Sequence, residues 1–128
     1  MPVGKSGRSS HRKGSRGEIE VRDLIRAHGF QARRGGVGNS DDVVHAIPGW
    51  HFEIKREETP HLAAYGRQLE RDRGDRMGAI VWRQNRMSWK AVLDFDDLLQ
   101  LLEEKRDALQ ALSDAREALS RDRGEGPA

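Results

Sequence analysis

The sequence predicts a mixed α/β domain around one small sheet, and three observations lead there. Segments of helical and strand period alternate in the order helix, three strands, helix, two strands, helix. Glycines close the two shorter helical stripes, at Gly29 and Gly74. Hydrophobic residues are 35% and aromatics 5% of 128 residues, which suits one small aliphatic core and not two domains.

Each element has its own signal. Residues 1–16 are rich in Gly, Ser and basic side chains without apolar periodicity, so a flexible basic arm is expected. GEIEVRDLIRAHGF sets Val21, Leu24, Ile25 and His28 along one stripe, a helix of about three turns. FQARR is a short strand and GGVGNS a loop. NSDDVVHAIPGWHFEIK, from Asn39 to Lys55, reads as two strands around a Pro48-Gly49 turn. HLAAYGRQLERDRG is an amphipathic helix stopped at Gly74. MGAIVWRQ and MSWKAVLD are strands joined by a turn near Asn85-Arg86. The segment from Asp94 onward is a long final helix, with Asp94 or Asp96 placed to cap it and a frayed Gly-rich end.

Charge and composition narrow the function. The chain has no cysteine, so disulfides and thiolate metal sites are excluded. No apolar run reaches bilayer length, and the basic N-terminus lacks the apolar segment of a secretory signal, so a cytoplasmic protein without a membrane partner is expected. Residues 1–40 hold nine Lys or Arg against three acids, whereas the remainder holds fourteen against eighteen. A basic first third points to a polyanion, most often nucleic acid; a solubilising tail is the plainer alternative.

The hairpin carries the most specific chemistry. Centred on Pro48-Gly49, antiparallel pairing sets Val44 opposite Glu53, Val43 opposite Ile54 and Asp42 opposite Lys55. Val43, His45, Ile47, Trp50, Phe52 and Ile54 then share a core face. Asp42, Val44, His51, Glu53 and Lys55 share the other. A loop of odd length would turn Asp42 away, so the assignment depends on register. Two neighbouring carboxylates repel unless a cation lies between them, and hard oxygen ligands suit Mg²⁺, with Mn²⁺ as a substitute. A solvated strand face with a cross-strand Asp–Lys pair is the simpler alternative.

RKGSRGEIEVRDLIRAHGFQARRGGVGNSDDVV, followed by FEIK, resembles the PD-(D/E)XK nuclease superfamily, and more narrowly its archaeal-type and phage Holliday-junction resolvases. The likeness is close from Arg12 to Lys55 and looser to about Leu102. It implies a restriction-endonuclease-like core, a small mixed central sheet flanked by helices, with a long C-terminal helix. The implied divisions are arm 1–16, nuclease domain 17–103, and C-terminal helix extension with tail 104–128.

Carried over by position, Glu18 takes the first-helix carboxylate's place. Asp42 and Glu53 take the metal-ligand places with the Ile54 carbonyl, and Lys55 the catalytic lysine's. Glu18 is implied to assist at the metal, behind its direct ligands or at a second ion. Arg34 takes a phosphate-contacting place. Asp41 departs from the usual proline and adds negative charge near the metal. Ser40 is the candidate loop hydroxyl.

Helical period alone does not separate Glu18 from Glu20; the resemblance selects Glu18. Lys5, Arg8, Arg12, Lys13 and Arg16 are candidate phosphate contacts in the arm, and Arg33 and Arg34 alternate on their strand. Gln68 and Arg71 are candidate phosphate or water contacts. Among the five histidines only His51 could approach the site, and no zinc spacing is present. Leu98, Leu112 and Leu119, with Leu102 and Leu109 alongside, form a stripe interrupted by Lys105 and Arg116. It serves either docking or dimerisation.

The reading that follows is a homodimeric Mg²⁺-dependent endodeoxyribonuclease acting on branched DNA, most specifically a four-way junction, in recombination and repair. No organic cofactor is expected. If phage-encoded, as the likeness to small phage members suggests, it would act in the host-cell cytoplasm. The alternatives are another nuclease of the superfamily (nicking, flap or restriction-like) and a catalytically inactive DNA-binding module.

Overall fold

A computed structural model describes residues 3–36 and 41–124, with side chains from Ser15 onward. The elements follow the expected order: α1 Val3–Ala27, β1 Ala32–Arg34, β2 Val43–His45, β3 Trp50–Arg56, α2 Leu62–Arg73, β4 Met77–Arg83, β5 Lys90–Val92 and α3 Phe95–Asp122. The chain divides into two compact units, Met1–Leu93 and Asp94–Ala128. Helix α3 runs uninterrupted from Phe95 to Asp122, across position 103.

Helix α1 begins at Val3, ahead of the expected start near Gly17. Extending a helix from a packed segment adds a hydrogen bond per residue without a new nucleus. The packed stripe is Gly17, Val21 and Ile25, at i, i+4 and i+8. Leu24 and His28, expected on that stripe, are exposed instead. A Cβ at Gly17 would lie 3.3 Å from the Arg56 Cβ and 3.4 Å from the Trp89 ring, so glycine permits a close approach of helix to sheet. The helix ends at Ala27, and the chain turns at Gly29, whose φ of 89° favours glycine.

The strands form two small sheets. β3 and β4 run parallel, joined through α2, and β5 returns antiparallel to β4. β1 and β2 pair antiparallel with Arg34 opposite Val43 and Ala32 opposite His45. The expected β2–β3 hairpin ladder therefore does not form among the described residues. The backbone groups that would begin it are used elsewhere. The Ala46 amide donates to Gln31 O at 2.9 Å, the Ile47 amide to His45 Nδ1 at 3.1 Å, and Gly49 O accepts from the Met77 amide at 2.8 Å. What survives of the hairpin is side-chain contact: His45 stacks on Phe52 at 4.7 Å, and Val43 and Ile54 share a core cluster with Val21, Ile25 and Ala32.

A second cluster joins Tyr65 and Leu69 of α2 to Ile80 of β4, with Trp82 against it. In α3, Asp94 holds the N-cap position without a side-chain cap; its carbonyl accepts from the Asp97 and Leu98 amides at 3.0 and 3.1 Å. No residue of α3 is buried, and Leu98, Leu102, Leu109, Leu112 and Leu119 are all exposed.

One glycine fixes the approach to the site. The Gly35 amide donates to Asp42 O at 3.0 Å. A Cβ at Gly35 would fall 1.8 Å from Asp41 O. Gly35→Ala must push the β1 edge away from Asp42, with an expected loss of about 2–3 kcal/mol and a Tm fall on the order of 10 °C. Gly66→Ala, where nothing lies within 4 Å, is the control. Inside a helix it is expected to leave Tm unchanged or raise it. Equal melts for Gly35→Ala and wild type would show that this approach is not tight.

Candidate functional site

Alternation along β3 sends His51, Glu53 and Lys55 to one side, where α2 offers Tyr65, Gln68 and Asp72 at helical spacing. The contacts follow in register. Lys55 Nζ donates to Gln68 Oε1 at 2.8 Å and stands 5.3 Å from the centre of the Tyr65 ring. The Tyr65 hydroxyl donates to Glu57. His51 Nε2 lies 2.7 Å from Glu53 Oε1, and both side chains are only 2% exposed. Burial pushes the Glu53 carboxyl up from its ordinary value; the Asp72 carboxyl within hydrogen-bond reach adds to this, and His51 opposes it.

Behind His51 a chain of contacts leads outward. His51 Nδ1 lies 3.0 Å from Asp41 Oδ1, and Arg76 holds the two Asp41 oxygens at 2.9 and 3.3 Å. The hydrogen bond from Arg76 draws the Asp41 carboxyl below its ordinary value, and Asp41 in turn raises Arg76. Asp41 thus serves as a bridge between a cation and the ring.

Asp42 stands just ahead of β2, half-buried, and its carboxylate accepts the Ile54 amide. Burial first, then the charge of Glu18, push its carboxyl up; the Ile54 amide, Lys55 and His51 pull it down. Glu18 also holds Arg34, whose Nε and Nη2 reach Glu18 Oε2 at 3.0 and 2.8 Å. Glu20 faces elsewhere. It accepts from Arg83 at 2.8 Å and from Trp89 Nε1 at 3.1 Å, tying α1 to the strands. Geometry separates the two glutamates that helical period left together.

The residues singled out in the sequence are distributed as follows. The charges of Glu18 and Lys55 both act on Asp42, whose carboxylate accepts the Ile54 amide. Glu53 directs one carboxylate oxygen to His51. Ile54 is engaged at Asp42 through its amide. Arg33 is exposed and lines a shallow groove with Gln31, Val44 and His45. Gln68 is half-buried on Lys55, while Arg16 and Arg71 are exposed. Ser40 lies outside the described residues, as do the side chains of Lys5, Arg8, Arg12 and Lys13.

Sequence reasoning underweighted His51 and missed Asp72, Tyr65 and Arg76. A signal was available for the first two: His51 is two residues from Glu53 on a strand, and Asp72 is four residues from Gln68 on a helix. Among the described residues, His51, Glu53 and Asp72 form the group of three potential metal ligands whose donor atoms lie within 4.8 Å of one another. A nitrogen and two carboxylates in that arrangement could hold a metal ion.

The architecture is the mixed α/β core with a small sheet, flanking helices and a long C-terminal helix expected from the sequence, with Glu53 and Lys55 on one side of β3. The fold is similar to that of Hjc, a Holliday junction resolvase from the archaeal hyperthermophile Archaeoglobus fulgidus, with a TM-score of 0.51 and 23% identity over 63% of this chain and 72% of that one. No family model and no curated protein matches the chain.

Proposed function

We propose that the chain is a divalent-metal-dependent, structure-selective DNA endonuclease that resolves Holliday junctions by paired symmetric nicks. The observation that carries this reading is the setting of Asp42, anchored by the Ile54 amide and flanked by Glu18 and Lys55. Likeness to the fold of a Holliday junction resolvase supports it.

In this reading Asp42, Glu53 and the Ile54 carbonyl hold Mg²⁺ or Mn²⁺, with Glu18 assisting. The carboxylate chemistry of the donors fits such an ion. Once bound, the ion supplies Lewis-acid polarisation of the scissile phosphate and a more acidic water. Lys55, held by Gln68, neutralises charge that develops on the phosphate oxygens. In-line hydrolysis leaves a 5′-phosphate and a 3′-hydroxyl. Arg34 exchanges Glu18 for backbone phosphate when DNA arrives, and Arg16, Arg33, Arg71 and the basic first third extend the contact.

Two cuts on opposite strands call for two sites related by a two-fold axis, and the exposed leucine face of α3 is suited to a second copy of the chain. No helix among the described residues is long and apolar enough to cross a membrane, and we place the activity in the cytoplasm.

The test is cleavage of a four-way junction beside a matched linear duplex, each with Mg²⁺ or Mn²⁺. Two symmetric nicks in the junction alone are expected, with binding that weakens steeply as salt rises. Equal cutting of linear duplex would indicate another nuclease of the superfamily. Junction binding with no cutting under either ion would indicate a DNA-binding module.

A further inference from the structure

The cluster of His51, Glu53 and half-buried Asp72 has a chemistry that the carboxylate pair around Asp42 does not. Its donors are one imidazole nitrogen and two carboxylates, and the imidazole is already oriented. Asp41 faces His51 Nδ1 at 3.0 Å and is itself fixed by Arg76 at 2.9 Å. With the Nδ1 proton donated to Asp41, the Nε2 lone pair points into the cluster, against Glu53 Oε1 at 2.7 Å. Two acceptors at that distance need a proton or a cation between them.

A carboxylate behind the second ring nitrogen is the usual support of a metal-ligating histidine, because it fixes tautomer and ring orientation. Arg76–Asp41 supplies that support from outside the triad. Donor atoms on one ion, at about 2.0–2.2 Å from it, stand roughly 3–3.5 Å apart. The donors here lie within 4.8 Å of one another, so side-chain shifts on the order of 1 Å close the site.

We propose that His51, Glu53 and Asp72 form a site for a first-row transition-metal dication, with Asp41 and Arg76 positioning the imidazole. Imidazole among the ligands favours such ions over Mg²⁺, which takes oxygen donors. The site deepens the metal-dependent reading only in sharing Glu53 with it, and the ion is expected to bind without DNA.

The experiment is calorimetric titration of the full chain, freed of metal by a chelator, with MnCl₂, CoCl₂ and MgCl₂, together with the visible spectrum of the cobalt form. Expected results are binding of Mn²⁺ or Co²⁺ at least about tenfold tighter than Mg²⁺ and a cobalt spectrum that changes in His51→Gln. Asp72→Asn removes a ligand and is expected to weaken Co²⁺ binding as well. Asp41→Asn is expected to cost about 10–100-fold in affinity by releasing the ring. Should His51→Gln fail to fold by circular dichroism, Asp72→Asn and Asp41→Asn decide the matter, since both residues are less buried. Mg²⁺ binding as tightly as Mn²⁺, or a cobalt spectrum and affinity unchanged in the folded variants, overturns the site. Neither outcome touches junction cleavage with Mg²⁺, which tests the nuclease reading separately.

Discussion

Asp42→Asn is expected to cut the rate of junction cleavage by roughly 10³-fold while making the free protein more stable at neutral pH. The two effects share one cause. Asp42 is half-buried beside Glu18, and both its burial and that neighbour disfavour the ionised form. Its carboxyl therefore titrates above the ordinary value of 3.8 in the folded chain. The folded state holds a proton that the unfolded state has already released. The associated stability is complete below the unfolded pKa and is lost as pH rises through the folded one. At pH 7 the wild type bears the whole cost, and asparagine removes it while its side-chain oxygen still accepts the Ile54 amide. Thermal melts at pH 4, 5.5 and 7.5 should show the variant and wild type converging at the acid end and separating as pH rises. Glu53, raised by burial and by Asp72, follows the same sign. An Asp42→Asn variant that cuts as well as wild type, or that melts lower at pH 7.5, would remove Asp42 from the site.

Burial raises both Asp42 and Glu53, a cost that no local signal in the sequence reports. Order and type of the elements were legible because each carries a local signal: period along α2 and β4, glycine at Gly29 and Gly74, the Pro48-Gly49 turn. Pairing was not, because it depends on where distant backbone groups go. Val43–His45 pairs with β1, and Trp50–Arg56 with β4 across the whole α2 crossover, and among the described residues the two neighbours in sequence form no ladder with each other. Strand period alone fixes that Glu53 and Lys55 share a side, and Ile54 meets Val43 in the core although the hairpin register that would pair them does not form. His51 was read as marginal because its partners, Asp41 and Asp72, come from a loop and a helix whose placement no spacing within the hairpin could reveal. The departure at Asp41 carries that information only once Arg76 is seen against it.

Lys55→Met should lower the single-turnover rate by about 10²–10³-fold with little change in junction affinity, because methionine keeps the aliphatic stem and removes the charge. The sharper comparison is with Gln68→Leu. As a phosphate contact, one of the two roles expected from the sequence, Gln68 would contribute to binding, and its loss would weaken junction affinity at unchanged turnover. Its oxygen lies 2.8 Å from Lys55 Nζ. With the Tyr65 ring 5.3 Å away on the same side, it fixes where the ammonium stands. A group that acts by placing another loses rate without losing affinity, here about 10-fold or more, since misplacement on the order of 1 Å is already costly. Lys55→Arg should fail to rescue the rate even though it restores the charge, because a planar guanidinium cannot occupy the point between Gln68 and Tyr65 that an ammonium fills. Weakened junction binding by Gln68→Leu at full single-turnover rate would return the residue to the DNA surface and leave Lys55 to be held by the ring alone.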